Sequence, residues 1–218
     1  MNSRKRHAGN LKRVGVALCL DFVNTVDWRG RKQSIEFLNG YNDLVAWSRH
    51  AGILKQKEAK QLIEKASNHP LKAKTVLNEA VSFRESLYRI FTSIVEKKAP
   101  GEKDLGMLNE AVSKTMAQMK IVHTGSGFTW ESTRQKDSLD GLLFPIIRSA
   151  SDLLVSESIS RVKRCTDSEC GWLFLDTSKN KSRRWCDMTD CGNRAKAKRY
   201  YRRKQQTINK STPRKPPL

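Results

Sequence analysis

The sequence predicts a mainly α chain with one small β hairpin: a helical N-terminal domain, then a small C-terminal module ending in a basic helix. Three observations carry that expectation. Apolar residues recur at helical spacing through much of the region from Phe37 to Leu154. Two matched cysteine pairs follow, Cys165 with Cys170 and Cys186 with Cys191. Positive charge gathers in the last quarter of the chain.

Residues 1–10 are polar and basic and are expected to be disordered. Leu18 to Val26 is a short apolar run that periodicity cannot assign to a strand or a buried helical turn. Phe37, Tyr41, Leu44, Val45 and Ser48 then fall on one helical face, with Gly52 as a stop. A second helix spans 57–68 and ends at His69-Pro70. The longest stripe runs from Lys72 to Lys98, interrupted at Arg84 and closed by Pro100-Gly101. Glu102 to Met116 is helical through Leu105, Leu108, Val112 and Met116. The period then changes to that of a hairpin, Met119–His123 and Phe128–Trp130 around Gly125-Ser126-Gly127. A last core helix covers about 142–154, where Pro145 is tolerated in the first turn. These elements place an N-terminal domain at 11–158, the cysteine module with its helix at 159–206, and a disordered Pro-rich tail at 207–218.

The chain of 218 residues carries 42 Lys and Arg against 22 Asp and Glu, a net charge of +20. From Arg161 onward the balance is 17 to 5, so this quarter is the expected footprint for a polyanion. The apolar run Val14 to Val26 is too short to span a bilayer and is followed by no small-residue cleavage site. A cytoplasmic protein without membrane contact is therefore expected, and reduced thiols favour metal over disulfide. Cys19 stands alone in an apolar segment and reads as a small buried hydrophobe.

The spacing is Cys165-x4-Cys170, fifteen residues, then Cys186-x4-Cys191. Each pair closes a short loop that turns two sulfurs toward one tetrahedral Zn2+, so all four are candidate ligands. Gly171 and Gly192 follow the second cysteine of each pair, where a tight backbone lets amides approach sulfur. Between the pairs, Trp172–Asp176 reads as a strand and Ser182–Trp185 as its return. Trp172 with Phe174, and Trp185 with Tyr200, are the expected mini-core. The order of knuckle, hairpin, cysteine pair and helix resembles a treble-clef-like zinc finger.

The helix from Asn193 to Lys204 holds seven Lys or Arg in twelve positions and no acid. Like charges four apart, such as Arg194 with Lys198, repel by a few tenths of a kcal/mol per pair (about 0.2–0.5). A phosphate backbone removes that cost and releases counterions. The candidate nucleic-acid contacts are Arg183, Arg184, Asn193, Arg194, Lys196, Lys198, Arg199, Arg202 and Arg203, with Asn193 alternatively a helix cap.

Cys191-Gly192-Asn193-Arg194, preceded by Trp172-Leu173-Phe174-Leu175-Asp176 and Arg183-Arg184-Trp185-Cys186, resembles the CGNR zinc-finger family. Leu20-Asp21-Phe22-Val23-Asn24-Thr25 is similar to the opening motif of the ABATE domain that accompanies this finger in bacterial proteins. The resemblance implies a stress-induced transcriptional regulator. The chain is more Lys-rich and less Ala-rich than that family's pattern.

Asp21, Asn24, Thr25, Asp27, Trp28 and Arg29 crowd polar and aromatic groups beside an apolar run and, with Arg84 from the long stripe, have two readings. They supply capping, turn chemistry and an internal ion pair, or they form a pocket for a small effector or a homodimer contact. His123 has no ligand-spaced neighbour and reads as structural. No phosphate-binding glycine loop or nucleophile–base arrangement is visible, so an enzyme is not expected. The expected function is zinc-dependent DNA binding in transcriptional regulation. The alternatives are an RNA- or ribosome-associated protein, with Trp172, Trp185, Tyr200 and Tyr201 stacking on bases if exposed, and a protein-interaction adaptor.

Overall fold

A computed structural model of the chain describes residues 6–133 and 138–211, with side chains through Gln206. The apolar run at 18–26 resolves into two elements. Helix α1 (Leu18–Val23) buries Cys19, Leu20, Phe22 and Val23, and strand β1 (Val26–Asp27) pairs antiparallel with β2 (Ile35–Glu36). A helix this short is held by burial on every side and not by its own hydrogen bonds. It packs against α4 (Pro70–Val95), α6 (Phe144–Leu154) and strand β6 (Leu173–Leu175).

Around it, α2 (Tyr41–His50) and α3 (Gln56–Asn68) pack on each other and against α4, and α5 (Glu102–Met116) packs against both α4 and α6. His69-Pro70 both ends α3 and starts α4, because Pro70 sits in the first turn where no amide donor is needed. Strands β3 (Met119–Thr124) and β4 (Gly127–Ser132) make the expected hairpin, in which His123 meets Phe128 edge-on at 5.2 Å. The core contains Leu44, Trp47, Leu87, Ile90, Phe91 and Ile146, none more than 1% exposed.

The described residues reach into both ends expected to be disordered. In the N-terminal stretch, Ala8–Asn10 form a 3-10 turn whose entry is capped by His7, and Ala8 is buried. Arg6 is pinned by ion pairs to Asp27 (2.8 Å) and Asp190. At the other end, α7 (Asn193–Ser211) continues past Gln206, as a stretch without Gly or Pro allows. Residues 1–5 and 212–218 lie outside the described residues. No helix among the described residues is long and apolar enough to cross a membrane.

Candidate metal centre and nucleic-acid interface

The first cysteine pair lies in the loop between β5 (Val162–Arg164) and β6, which pair antiparallel with Val162 opposite Leu175. The knuckle is thus itself the hairpin turn, closed by Cys165 N–H donating to Trp172 O at 2.8 Å. The expected return strand at 182–185 does not form. Burial raises the Asp176 carboxyl, but Lys163, Ser178 and the Arg183 amide outweigh it and hold the group below the usual carboxylate range. These donors draw 178–183 into a loop around one carboxylate, with Lys181 at a φ of 49°. Gly171 is needed for another reason than the sulfur: its φ is 74°, and an added Cβ would lie 2.7 Å from that of Arg29.

The second pair opens α7. Asp187 caps the turn through Thr189 N–H at 2.7 Å, and Met188–Gly192 form a single π turn that delivers Cys191 beside the helix N-terminus. There the aligned backbone dipoles favour a thiolate.

All four sulfurs are buried and lie within 4.8 Å of one another. Cys170 and Cys191 are each 3.6 Å from Cys186, far beyond a disulfide bond. A tetrahedral ion with Zn–S bonds of about 2.3 Å requires sulfurs about 3.8 Å apart, so the donors fit. Their electrostatics call for a cation. Hydrogen bonds from Cys170, Cys186 and Cys191 pull Cys165 below the ordinary thiol range, while Cys165 and Cys191 push Cys170 up and Cys165, Cys170 and Cys191 push Cys186 up. Four adjacent thiolates coexist only around a compensating dication.

Arg194 supports that centre. Its Nη2 donates to Cys191 Sγ at 3.0 Å, its Nε to Asp167 at 2.6 Å, and its guanidinium lies 4.5 Å from the Trp28 ring centroid. Trp28 holds this position with a φ of 56°, inside the region that L side chains seldom occupy. Asp167 gave no signal in the sequence, and Trp28 and Asp176 were noticed there without their partners, because the fold creates those partners.

Four of the residues read as an effector pocket are packed instead into the body and its seam with the finger. Asn24 works as a one-residue strand, donating to Leu173 O at 2.8 Å and accepting from Leu173 N–H at 2.9 Å. Asp21 accepts from Gly15 N–H at 2.7 Å and pairs with Arg13. Thr25 donates to Phe22 O and accepts from Arg84. Arg84 chelates Glu36 at 2.7 and 2.6 Å and reaches Glu85. The seam continues through Trp172 Nε1 to Val26 O and through the Arg29 and Gly30 amides to Cys170 O and Glu169 O. An added Cβ on Gly30 would lie 1.8 Å from Ser168 O, so the chains meet backbone to backbone.

The expected phosphate contacts divide into two groups. Arg183, Arg194 and Lys198 are engaged within the protein. Arg183 donates to the carbonyls of Trp185, Cys186 and Val14 and lies over Phe174, and Lys198 pairs with Glu169 at 2.9 Å. Lys198 and Arg31 together lower the Glu169 carboxyl to about 2. Asn193 does not cap the helix; its side chain donates to Thr189 O. Arg184, Lys196, Arg199, Arg202 and Arg203 are exposed, and Lys196, Arg199 and Arg202 have no ionic partner among the described residues. Trp172 is buried and Trp185 half-buried, whereas Tyr200 and Tyr201 are 63% and 64% exposed, so Tyr200 does not join the mini-core.

Comparison with known families follows the same division of the chain. The ABATE family, described as "Putative stress-induced transcription regulator", matches residues 16–157, and the CGNR zinc finger matches residues 161–204. With the four clustered cysteines, that finger makes the centre a zinc site. None of the curated proteins compared matches the chain.

Proposed function

This chain belongs to the ABATE family and carries the CGNR zinc finger, and on that premise we propose that it is a zinc-dependent DNA-binding transcriptional regulator. The observation that carries the reading is the division of α7 into two sides. At 100° per residue, Arg194 and Lys198 share the side held by Asp167 and Glu169. Lys196, Arg199 and Arg203 recur at three and four residues on the other side, where they face solvent. The zinc ion fixes the first turn of the helix, and the second side then meets phosphate with little further ordering. Arg202 and Arg184 extend the cationic surface. The N-terminal body takes the role of effector sensing or dimerisation, linked to the finger through the Asn24 clamp.

Genome-wide mapping of bound DNA, comparing wild type with Cys186→Ser, tests this reading. Discrete sites lost in the variant are expected; no enrichment, or enrichment that survives loss of the ligand, overturns it. A second reading, RNA binding by the same side, rests on the exposed Tyr200 and Tyr201, whose rings are 5.6 Å apart and free to meet bases. Competition between duplex DNA, structured RNA and heparin at one ionic strength separates the two: a preference for duplex DNA supports the first reading and a preference for RNA the second.

A further inference from the structure

Positive charge at the seam does not come from the finger alone. The β1–β2 loop of the N-terminal body, residues 28–34, holds Arg29, Arg31 and Lys32 and no acid. Arg29 turns inward onto Glu85 and the Tyr88 ring, whereas residues 31–34 are all exposed.

The loop is fixed to the finger through its backbone. Arg31 N–H closes a turn on Trp28 O at 2.9 Å, and the Arg29 and Gly30 amides donate to Cys170 O and Glu169 O at 3.2 and 3.1 Å. Trp28, at its left-handed φ of 56°, meets two guanidiniums: Arg31 lies 3.5 Å from the ring centroid and Arg194 of α7 4.5 Å. Stacking on an aromatic face orients a guanidinium for an anion before the anion arrives.

An anion already sits there. One oxygen of the Glu169 carboxylate accepts from Arg31 Nη2 at 2.6 Å and Nε at 2.7 Å, and the other accepts from Lys198 Nζ at 2.9 Å. The three side chains are 34%, 45% and 54% exposed, and ion pairs so placed stabilise a fold very little. They can exchange partners. A guanidinium from the body and an ammonium from the finger are thus held at the spacing of two oxygens of one anion. A backbone phosphate presents the same pair of oxygens and favours the same two cations.

We propose that the β1–β2 loop is the second half of a duplex-DNA interface that crosses the seam. Arg31 and Lys198 take one backbone phosphate in the seat that Glu169 fills in the free protein, and Lys32 meets another. Arg194 stays on Asp167 and Cys191, so only the exposed end of that side of α7 exchanges its partner. Arg202, one turn beyond Lys198, continues the surface along the helix. The inference rests on the DNA reading of the finger and adds to it a contact made by the body.

Anisotropy of the full-length, zinc-loaded protein on a mixed-sequence duplex, followed across a salt series, tests it. Lys32 is exposed and has no ionic partner among the described residues, so Lys32→Ala should leave Tm unchanged. It should lower the slope of log affinity against log salt by about one unit, and Arg31→Ala should do the same. Glu169→Gln keeps the size of the side chain and should raise affinity about fivefold, because phosphate no longer has to expel a carboxylate. Lys60→Ala and Glu64→Gln, at exposed positions of α3 outside the seam, measure the general effect of a lost charge. The proposal is overturned if either Arg31→Ala or Lys32→Ala lowers the slope no more than Lys60→Ala does. It is equally overturned if Glu169→Gln gains no more affinity than Glu64→Gln, or if the changes occur with structured RNA and not with duplex. Those results beside a lowered slope in Arg199→Ala would leave the finger's DNA reading standing and remove this inference alone; no salt-dependent duplex binding by the wild type would remove both.

Discussion

The N-terminal body and the finger solve the same problem by different means. The body buries a continuous core in which each large side chain contributes about 1.5–3 kcal/mol, and Leu20, Phe22, Leu44, Leu87 and Ile146 are fully enclosed. Among the described residues, the finger's own cluster sets Trp172 and Phe174, with half-buried Trp185, beside its cysteines. A module that small does not hold together by apolar burial, so zinc and the seam with the body supply the rest. A structural element without a core of its own is specified by what it binds and by what it leans on. Breaking each support in turn shows how far the two regions are independent.

The largest effect is expected from the metal. Structural zinc contributes about 10–16 kcal/mol to isolated fingers. Chelation, or Cys186→Ser, should therefore remove hydrogen-exchange protection from 162–192 and lower nucleic-acid affinity by more than about 100-fold, since several phosphate contacts lose their scaffold together. Protection in α4 and α6 should stay within a few-fold of wild type. Collapse of those helices as well would show that the body depends on the finger, and the contrast would fail.

Asn24→Ala attacks the second support. It strips Leu173 of both its side-chain partners at a buried site, at a cost of about 2–4 kcal/mol. For a chain of this size that is a fall of roughly 5–12 °C in Tm. The loosening should begin at β6 and at the knuckle, which exchange mass spectrometry resolves. A uniform loss over the whole chain would mean that body and finger are one cooperative unit.

These two supports differ in how far the sequence announced them. The cysteine spacing is local, and it led directly to the four sulfurs that the fold gathers. Helices α3 and α5 likewise end where Pro70 and the apolar period place them. Asn24 gave no such signal, because its partner Leu173 lies 149 residues away. The same limit explains the return strand at 182–185, which has strand-like composition but yields to the donors around Asp176. It also explains why counting Lys and Arg did not separate Arg183 and Arg194, which hold the finger, from Lys196 and Arg199, which do not.

Asp176 gives the finger a dependence on acid. Its folded pKa lies below the unfolded value of about 3.9, so its contribution is complete above that pH and disappears as pH falls through the folded value. Asp176→Asn removes the contribution at every pH. The difference in Tm between wild type and this variant should accordingly be constant from pH 7 to about 5 and shrink below about 4. A constant difference throughout would show that the carboxylate acts through packing and not through charge.

The smallest effect, and the one that bears most closely on function, concerns α7. Lys196→Ala and Arg199→Ala remove exposed cations with no partner among the described residues, so each should change stability by less than about 0.5 kcal/mol. If they meet phosphate, each lowers the slope of log affinity against log salt by about one unit. Arg194→Ala should do the opposite. It removes the donor to Cys191 and the partner of buried Asp167, so zinc retention and Tm should fall while the slope, measured on the fraction still zinc-loaded, stays close to wild type. Chelator competition for zinc and anisotropy across a salt series separate the two outcomes. Should Arg194→Ala lower the slope as much as Arg199→Ala does, the two sides of α7 are not distinct, and the helix engages nucleic acid all round.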